Sequence, residues 1–373
     1  MKSSIRFGRL FGIEIGAHVS WLVILVLVTM SVVAHFGLTQ PEWSRVTRWA
    51  AGLVTSILFF GSVVAHELAH SLVARRFGVP VRSITLFLFG GLAQIESEPK
   101  RPAHELWIAG AGPLSSLALG ALFGGLAALA PAGVPGAVAA WLGGINVALA
   151  FFNLLPGFPL DGGRVLRAVV WWKTGDPRRA TRVAAAGGKL LALLLIVGGI
   201  WTFFTPGTPG GNLGGLWLAF IGWFLLEAAR SGEAQVEMRH ALRGVRAADL
   251  MTADAPRIPP DLPLESFVHE HLLRTGRRCF VVADRTRAVG LLTAGDLRAV
   301  PRERWPELTV VGVMRPLESL HAVAPDTGGD RVLEILGRED LNQLPVLCDG
   351  RLEGIVSREH VIRMLTTRME FAS

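Results

Sequence analysis

Two imidazoles and a carboxylate stand together in Ala65-His66-Glu67-Leu68-Ala69-His70. Four residues make about one helical turn, so His66 and His70 share a face and can hold one divalent cation between them. Glu67, one step round the helix, reaches a water bound to that cation. Two histidines flanking a carboxylate in this order suit zinc-assisted hydrolysis, in which the metal acidifies water and the carboxylate carries the proton. The segment His104-Glu105-Leu106-Trp107-Ile108 begins in the same way but has Ile108 where a second histidine is needed. It reads as an interfacial helix start and nothing more.

The motif closes a run, Trp49 to Ala65, that contains no charged residue and is long enough to cross a bilayer. Polar groups in hydrocarbon are costly, so a cluster of them there marks function. A zinc site needs a third protein ligand, with one position left for water. The best candidate is Asp161, at the end of Asn153-Leu154-Leu155-Pro156-Gly157-Phe158-Pro159-Leu160-Asp161-Gly162-Gly163. Pro156 and Pro159 cannot continue a regular helix, so the backbone should break at membrane depth, where a break is tolerated beside a protein-lined cavity.

Six runs of about twenty apolar residues predict spans near Ala17 to Leu38, Trp49 to Ala74, Leu106 to Ala130, Gly136 to Leu155, Val183 to Phe204 and Leu213 to Ala229. Turns are expected around Pro131 to Pro135 and Pro206 to Gly211, and Lys189 reads as a snorkelling side chain. The basic segment Met1 to Gly16 lacks a clear cleavage site after it and reads as the start of a retained anchor. Between spans two and three, Val79 to Ile95 carries β-branched and aromatic residues around Gly90-Gly91 and reads as a β-hairpin. Arg and Lys crowd the loops before span one, between spans two and three, and between spans four and five, whereas the opposite loops carry only Arg45 and Arg48. The positive-inside rule then puts both termini in the cytoplasm of a multi-pass protein of the cell membrane, expected to be prokaryotic.

The whole chain has 373 residues, a net charge of +7 and a mean hydropathy of +0.44, yet the long apolar runs end near residue 230. A membrane domain is therefore followed by a soluble one. The positive charge belongs to span flanks, and nucleic acid is not an expected partner. Cys279 and Cys348, the two cysteines, imply no disulfide framework and suit a reducing compartment.

Through His66-Glu67-Leu68-Ala69-His70 and the stretch from Asn153-Leu154-Leu155-Pro156 to Leu160-Asp161-Gly162, residues 1–230 resemble the site-2 protease family of intramembrane zinc metalloproteases. The resemblance implies one zinc ion per chain on His66, His70 and Asp161, with Glu67 as the catalytic acid and base. It also implies Asn153 as a group that binds substrate or the oxyanion, and a hairpin edge that pairs with an unwound substrate by β-augmentation. The implied substrate is a membrane-anchored protein cut in or near its transmembrane segment. Where family members often carry Asn after the Gly-Pro of span three, this chain has Ser116, to which the resemblance assigns no role.

From residue 246 the sequence repeats itself. Ala248-Asp249-Leu250-Met251-Thr252 returns as Val311-Gly312-Val313-Met314-Arg315, and Val289 to Leu297 returns as Glu353 to Val361, with offsets that agree to within one residue. Each unit reads as helix, strand, turn, strand, helix, giving repeats at 246–305 and 306–369 after a polar, helical connector at 231–245. The pair resembles tandem CBS domains, an α/β fold. That resemblance implies an adenine nucleotide such as ATP or AMP held by Thr293 and Asp296 in the first repeat and Ser357 in the second, where His360 replaces the Asp. Regulation of the protease by nucleotide is the expected role; homodimerisation or substrate docking through the pair is the other. The fold expected overall is a polytopic α-helical membrane domain of about six helices with a small hairpin, followed by the tandem CBS unit. Two further classes fit parts of the pattern: a CBS-regulated divalent-metal transporter or channel, and a noncatalytic metal-dependent scaffold. A transport site, however, has no need of a Glu directly after the first His.

Overall fold

The computed structural model describes residues 5–87, 90–95, 99–205, 211–242, 244–284 and 287–371. The expected turn at 206–210 and the tip of the expected hairpin at 88–89 lie outside the described residues. Two compact units divide the chain, Met1–Ala234 and Gln235–Ser373.

The first unit holds α1 (Ser20–Thr39), α2 (Arg45–Arg76), α3 (Pro102–Leu129), α4 (Val134–Asn153), α5 (Asp161–Thr174), α6 (Pro177–Phe204) and most of α7 (Gly211–Ala241). Among the described residues, α1, α2, α3, α4 and α6 are long and apolar enough to cross a membrane. They coincide with the first five expected spans. The sixth falls inside α7, whose 31 residues also carry Glu227, Arg230, Glu233, Glu237 and Arg239 and which is not one of these five. The same helix takes in the expected connector as far as Ala241.

α2 starts earlier than the apolar run because Ser44 caps it, its side chain accepting from the Thr47 N–H at 3.1 Å. Arg75 and Arg76 close the helix, where cations suit the dipole. Between α2 and α3 the expected hairpin forms as β3 (Val81–Phe87) and β4 (Gly90–Ile95). It is half of a larger sheet. Residues 5–17, read from sequence as part of an anchor, instead form β1 (Ile5–Leu10) and β2 (Ile13–Ala17), joined by Phe11 and Gly12 with φ of 50° and 77°. Two positive φ values make the tight turn whose twist matches that of the strands, and an x-Gly pair between alternating residues was the signal for it. The order is β1-β2-β3-β4, with β2 parallel to β3. β4 is an edge strand.

After α4 the chain breaks, as the prolines require, and restarts at Asp161. The broken turn presses against α6 so closely that a Cβ at Gly188 would overlap the Phe158 carbonyl oxygen, and one at Gly187 the Pro156 oxygen. The Phe158 N–H donates to the Ala184 carbonyl at 3.1 Å, so the freed backbone finds a partner without water.

In the second unit, β6 (Cys279–Asp284) pairs with β7 (Arg287–Thr293), flanked by the short β5 (Arg257–Ile258) and β8 (Arg315–Pro316); β9 (Gln343–Cys348) pairs with β10 (Arg351–Ser357). The repeats are interleaved. Ala247 and Leu250, which lead the first repeat, are buried with Leu344, Val346 and Val356 of the second. Val310, which leads the second, is buried with Phe280 and Leu292 of the first. The helix expected after β7 is replaced by two 3-10 turns, Asp296–Ala299 and Arg302–Glu307, because Pro301 and Pro306 interrupt it; the second repeat, free of proline there, keeps the helix Arg358–Phe371.

A Val at Gly188 should push the broken turn off α6 at a cost of about 1–3 kcal/mol. Gly198, on the same helix with nothing within 4 Å of its Cβ position, provides the control. Thermal unfolding in detergent should show Gly188→Val melting several degrees lower and Gly198→Val melting close to the parent.

Candidate metal centre

His66 and His70 project from α2 toward Asp161, the first residue of α5. His66 Nε2 and His70 Nε2 are 3.2 Å apart, and each lies 3.1 Å from Asp161 Oδ2. Both histidines are about 95% buried. The outer nitrogens show which form the rings take. His70 Nδ1 lies 2.6 Å from the Ile108 carbonyl oxygen, which can only accept, so the proton is on Nδ1 and Nε2 presents a lone pair. His66 Nδ1 lies 2.9 Å from Ser116 Oγ, a hydroxyl able to donate or accept; where it accepts the ring's proton, His66 Nε2 is free in the same way.

Three potential ligand atoms thus converge within 3.2 Å of one another, a donor set that suits a divalent cation. The fit to zinc is metrical. A tetrahedron with bonds of about 2.0–2.1 Å has edges of about 3.3–3.4 Å, and the observed edges are 3.1 to 3.2 Å.

The hollow between the three groups exists because residue 112 is glycine. A Cβ there would overlap His70 Nε2 and fall 2.6 Å from His66 Nε2. Gly112 precedes Pro113 inside α3; proline cannot donate to the carbonyl of Ala109, which opens the helix at the turn where the Ile108 carbonyl receives His70. Neither Gly112 nor the Ile108 carbonyl was found from sequence, though a Gly-Pro pair within an apolar helix was the available signal. Ser116, left without a role by the family pattern, is wholly buried against His66.

Glu67 sits beside β4. A Cβ at Gly91 would overlap its Cγ and lie 3.2 Å from its Oε1, so the edge strand runs directly over the carboxylate. Asn153 ends α4, half-buried, with no side-chain hydrogen bond to another described residue. Glu105, expected at an interface, is buried within the bundle.

In the second unit a cavity of about 820 Å³ is lined by both Thr293 and Ser357, with Arg277, Arg298, Arg358 and Arg363 around them. Asp296 is engaged elsewhere: its Oδ2 accepts from the Thr293 N–H at 2.9 Å and hydroxyl at 2.6 Å, and its Oδ1 from Arg315 Nε at 2.6 Å. Ser357 Oγ accepts from the His360 N–H at 3.2 Å. Burial pushes the Cys279 thiol on the cavity wall up to about 12, which keeps it protonated and unreactive.

The sequence matches peptidase family M50 over residues 54–133 and 127–197, and the CBS domain over 247–303 and 310–367. "Putative zinc metalloprotease Rip3" of Mycobacterium tuberculosis is 39% identical over 371 residues, covering 98% of this chain and 93% of the relative. The chain belongs to peptidase family M50, the site-2 zinc metalloproteases. "Zinc metalloprotease MJ0392" of Methanocaldococcus jannaschii is a further relative of this M50 chain, 30% identical over 98% of this chain and 97% of its own. The solved site-2 protease from the same organism is 31% identical, with a TM-score of 0.44, over 61% of this chain and 94% of that one. This M50 chain is thus a zinc metalloprotease with several membrane-capable helices and a CBS pair.

Gly112→Ala should abolish zinc binding, whereas Gly110→Ala, with nothing near its Cβ position, should retain it; metal analysis of the purified proteins distinguishes them. Ser116→Ala should weaken zinc binding by about 10–100-fold, as loss of a ligand's supporting partner does, read by competition with a chelating dye.

Proposed function

We propose that the chain hydrolyses peptide bonds in or near the transmembrane segment of membrane-anchored protein substrates, and that an adenine nucleotide in its CBS cavity modulates the reaction. The convergence of His66, His70 and Asp161 beside Glu67 carries the first part. Zinc held there supplies Lewis acidity toward the scissile carbonyl and acidifies water. Glu67 accepts the proton of the attacking water and delivers it to the leaving amine. Asn153, whose amide meets no side-chain partner among the described residues, donates a hydrogen bond to the oxygen on which charge develops, a contribution that grows where water is scarce.

A transmembrane helix hides its peptide bonds, so the substrate must unwind before attack. The free edge of β4 offers it backbone partners above Glu67, and paired there the extended segment is held along the carboxylate. The nucleotide reading rests on one cavity shared by Thr293 and Ser357, with four arginines to meet phosphate oxygens. The arginines that flank the spans favour a cytoplasmic position for both termini.

Reconstituted into liposomes with a single-span substrate, the protein should cleave it, and chelation should stop the reaction. Glu67→Gln should lower kcat by about 10²–10⁴-fold while keeping one zinc per chain. Cleavage that survives Glu67→Gln would refute this role for the carboxylate; metal uptake without cleavage would mark a transporter. AMP or ATP should raise the melting temperature of the full chain and change its cleavage rate, and Arg298→Ala with Arg358→Ala should remove both effects.

A further inference from the structure

We propose that the buried ion pair between Glu105 and Arg167 is the positioning device that sets Asp161 opposite the two histidines. The proposal rests on the zinc assignment above and adds two residues that touch neither metal nor substrate. Arg167 Nη1 donates to Glu105 Oε1 at 2.9 Å, with the side chains 10% and 4% exposed. Glu105 stands in the first turn of α3, three residues before Ile108, whose carbonyl receives His70. Arg167 stands on α5, six residues after Asp161. Each partner is therefore built into a helix that carries part of the metal centre.

The buried face of α5 explains the need. It consists of Gly162, Gly163, Arg167 and Ala168. Three of these four are small, so α5 lies close to its neighbours, and its fully buried positions offer no large apolar knob to lock its rotation or its travel along them. Arg167 is the one long side chain among those fully buried positions, and its guanidinium is steered further by the half-buried Trp171, whose ring centre is 5.9 Å from Cζ. An ion pair has strict donor and acceptor geometry where an apolar contact slides. Net stabilisation does not account for it, because burying two charges costs about as much as their attraction returns. Orientation does account for it: with α5 fixed at Arg167 and held at its first turn by the glycine-packed break, Asp161 Oδ2 can approach the two imidazoles from only one direction.

The test uses the full-length protein in detergent, loaded with Zn²⁺ or with Co²⁺ as a spectroscopic stand-in. Glu105→Gln and Arg167→Lys should each weaken Zn²⁺ binding at least tenfold, and the visible Co²⁺ absorption should lose the intensity that a tetrahedral ligand set confers. Where cleavage persists, kcat should fall with KM unchanged. The exchanged pair, Glu105→Arg with Arg167→Glu, should recover part of the Co²⁺ signal. Arg167→Lys keeps the charge and removes only the planar fork, so it remains a test even if Glu105→Gln does not fold. A folded variant with parental Zn²⁺ affinity and Co²⁺ spectrum overturns the proposal, as does a lowered melting temperature accompanied by an unaltered spectrum. Failure of the parent protein itself to bind Zn²⁺ would instead overturn the zinc assignment.

Discussion

Asp161 reaches the two imidazoles from a break between helices inside the bundle, and such a break exposes backbone groups that hydrocarbon cannot satisfy. The first unit is organised around that constraint. Asp161 follows a break forced by Pro156 and Pro159, and the freed Phe158 N–H is taken up by the Ala184 carbonyl of α6. Glycines at 187 and 188 let α6 come within backbone contact of the break. Larger residues at those positions would hold the helix away and leave the break facing lipid or void.

α3 supplies the other half of the solution. Glu105, Ile108, Gly112 and Ser116 recur at helical spacing along one buried face. In turn they meet Arg167, His70, the space for the ion and His66. One face thus fixes both ring orientations and keeps the volume between them open. The proline at 113 belongs to the same device, since an unbroken helix would engage its carbonyls internally and leave less for an outside ring. The sheet adds a cover. Its edge strand brings Gly91 against Glu67, so the carboxylate lies beneath backbone that is available for pairing.

The second unit solves a different problem, that of making one site from two copies of a small motif. Neither repeat closes its own core, because the leading segment of each is buried in the other. The exchange brings Thr293 and Ser357, equivalent positions in the two copies, to a single cavity. The copies have also diverged. Asp296 braces the first through Thr293 and Arg315, while the second has His360 at the matching place and holds Ser357 by a backbone N–H.

Local pattern was enough for much of this. Helical spacing puts His66 and His70 on one face, two prolines break the chain before Asp161, five apolar runs become five long helices, and the duplication after residue 246 is plain in the order of residues. These features depend on backbone sterics and on periodicity, which act over a few residues and leave a mark in sequence. What tertiary structure alone decided depends on which surfaces meet. No local rule tells that the Ile108 carbonyl orients His70, that Ser116 stands behind His66, or that Glu105 finds Arg167, because those partners lie 38, 50 and 62 residues apart. The absence of a side chain at Gly112 matters only once two imidazoles from another helix point at it. Sequence could pair two of the converging side chains from their spacing and propose the third, but the hollow between them is a property of three helices packed together.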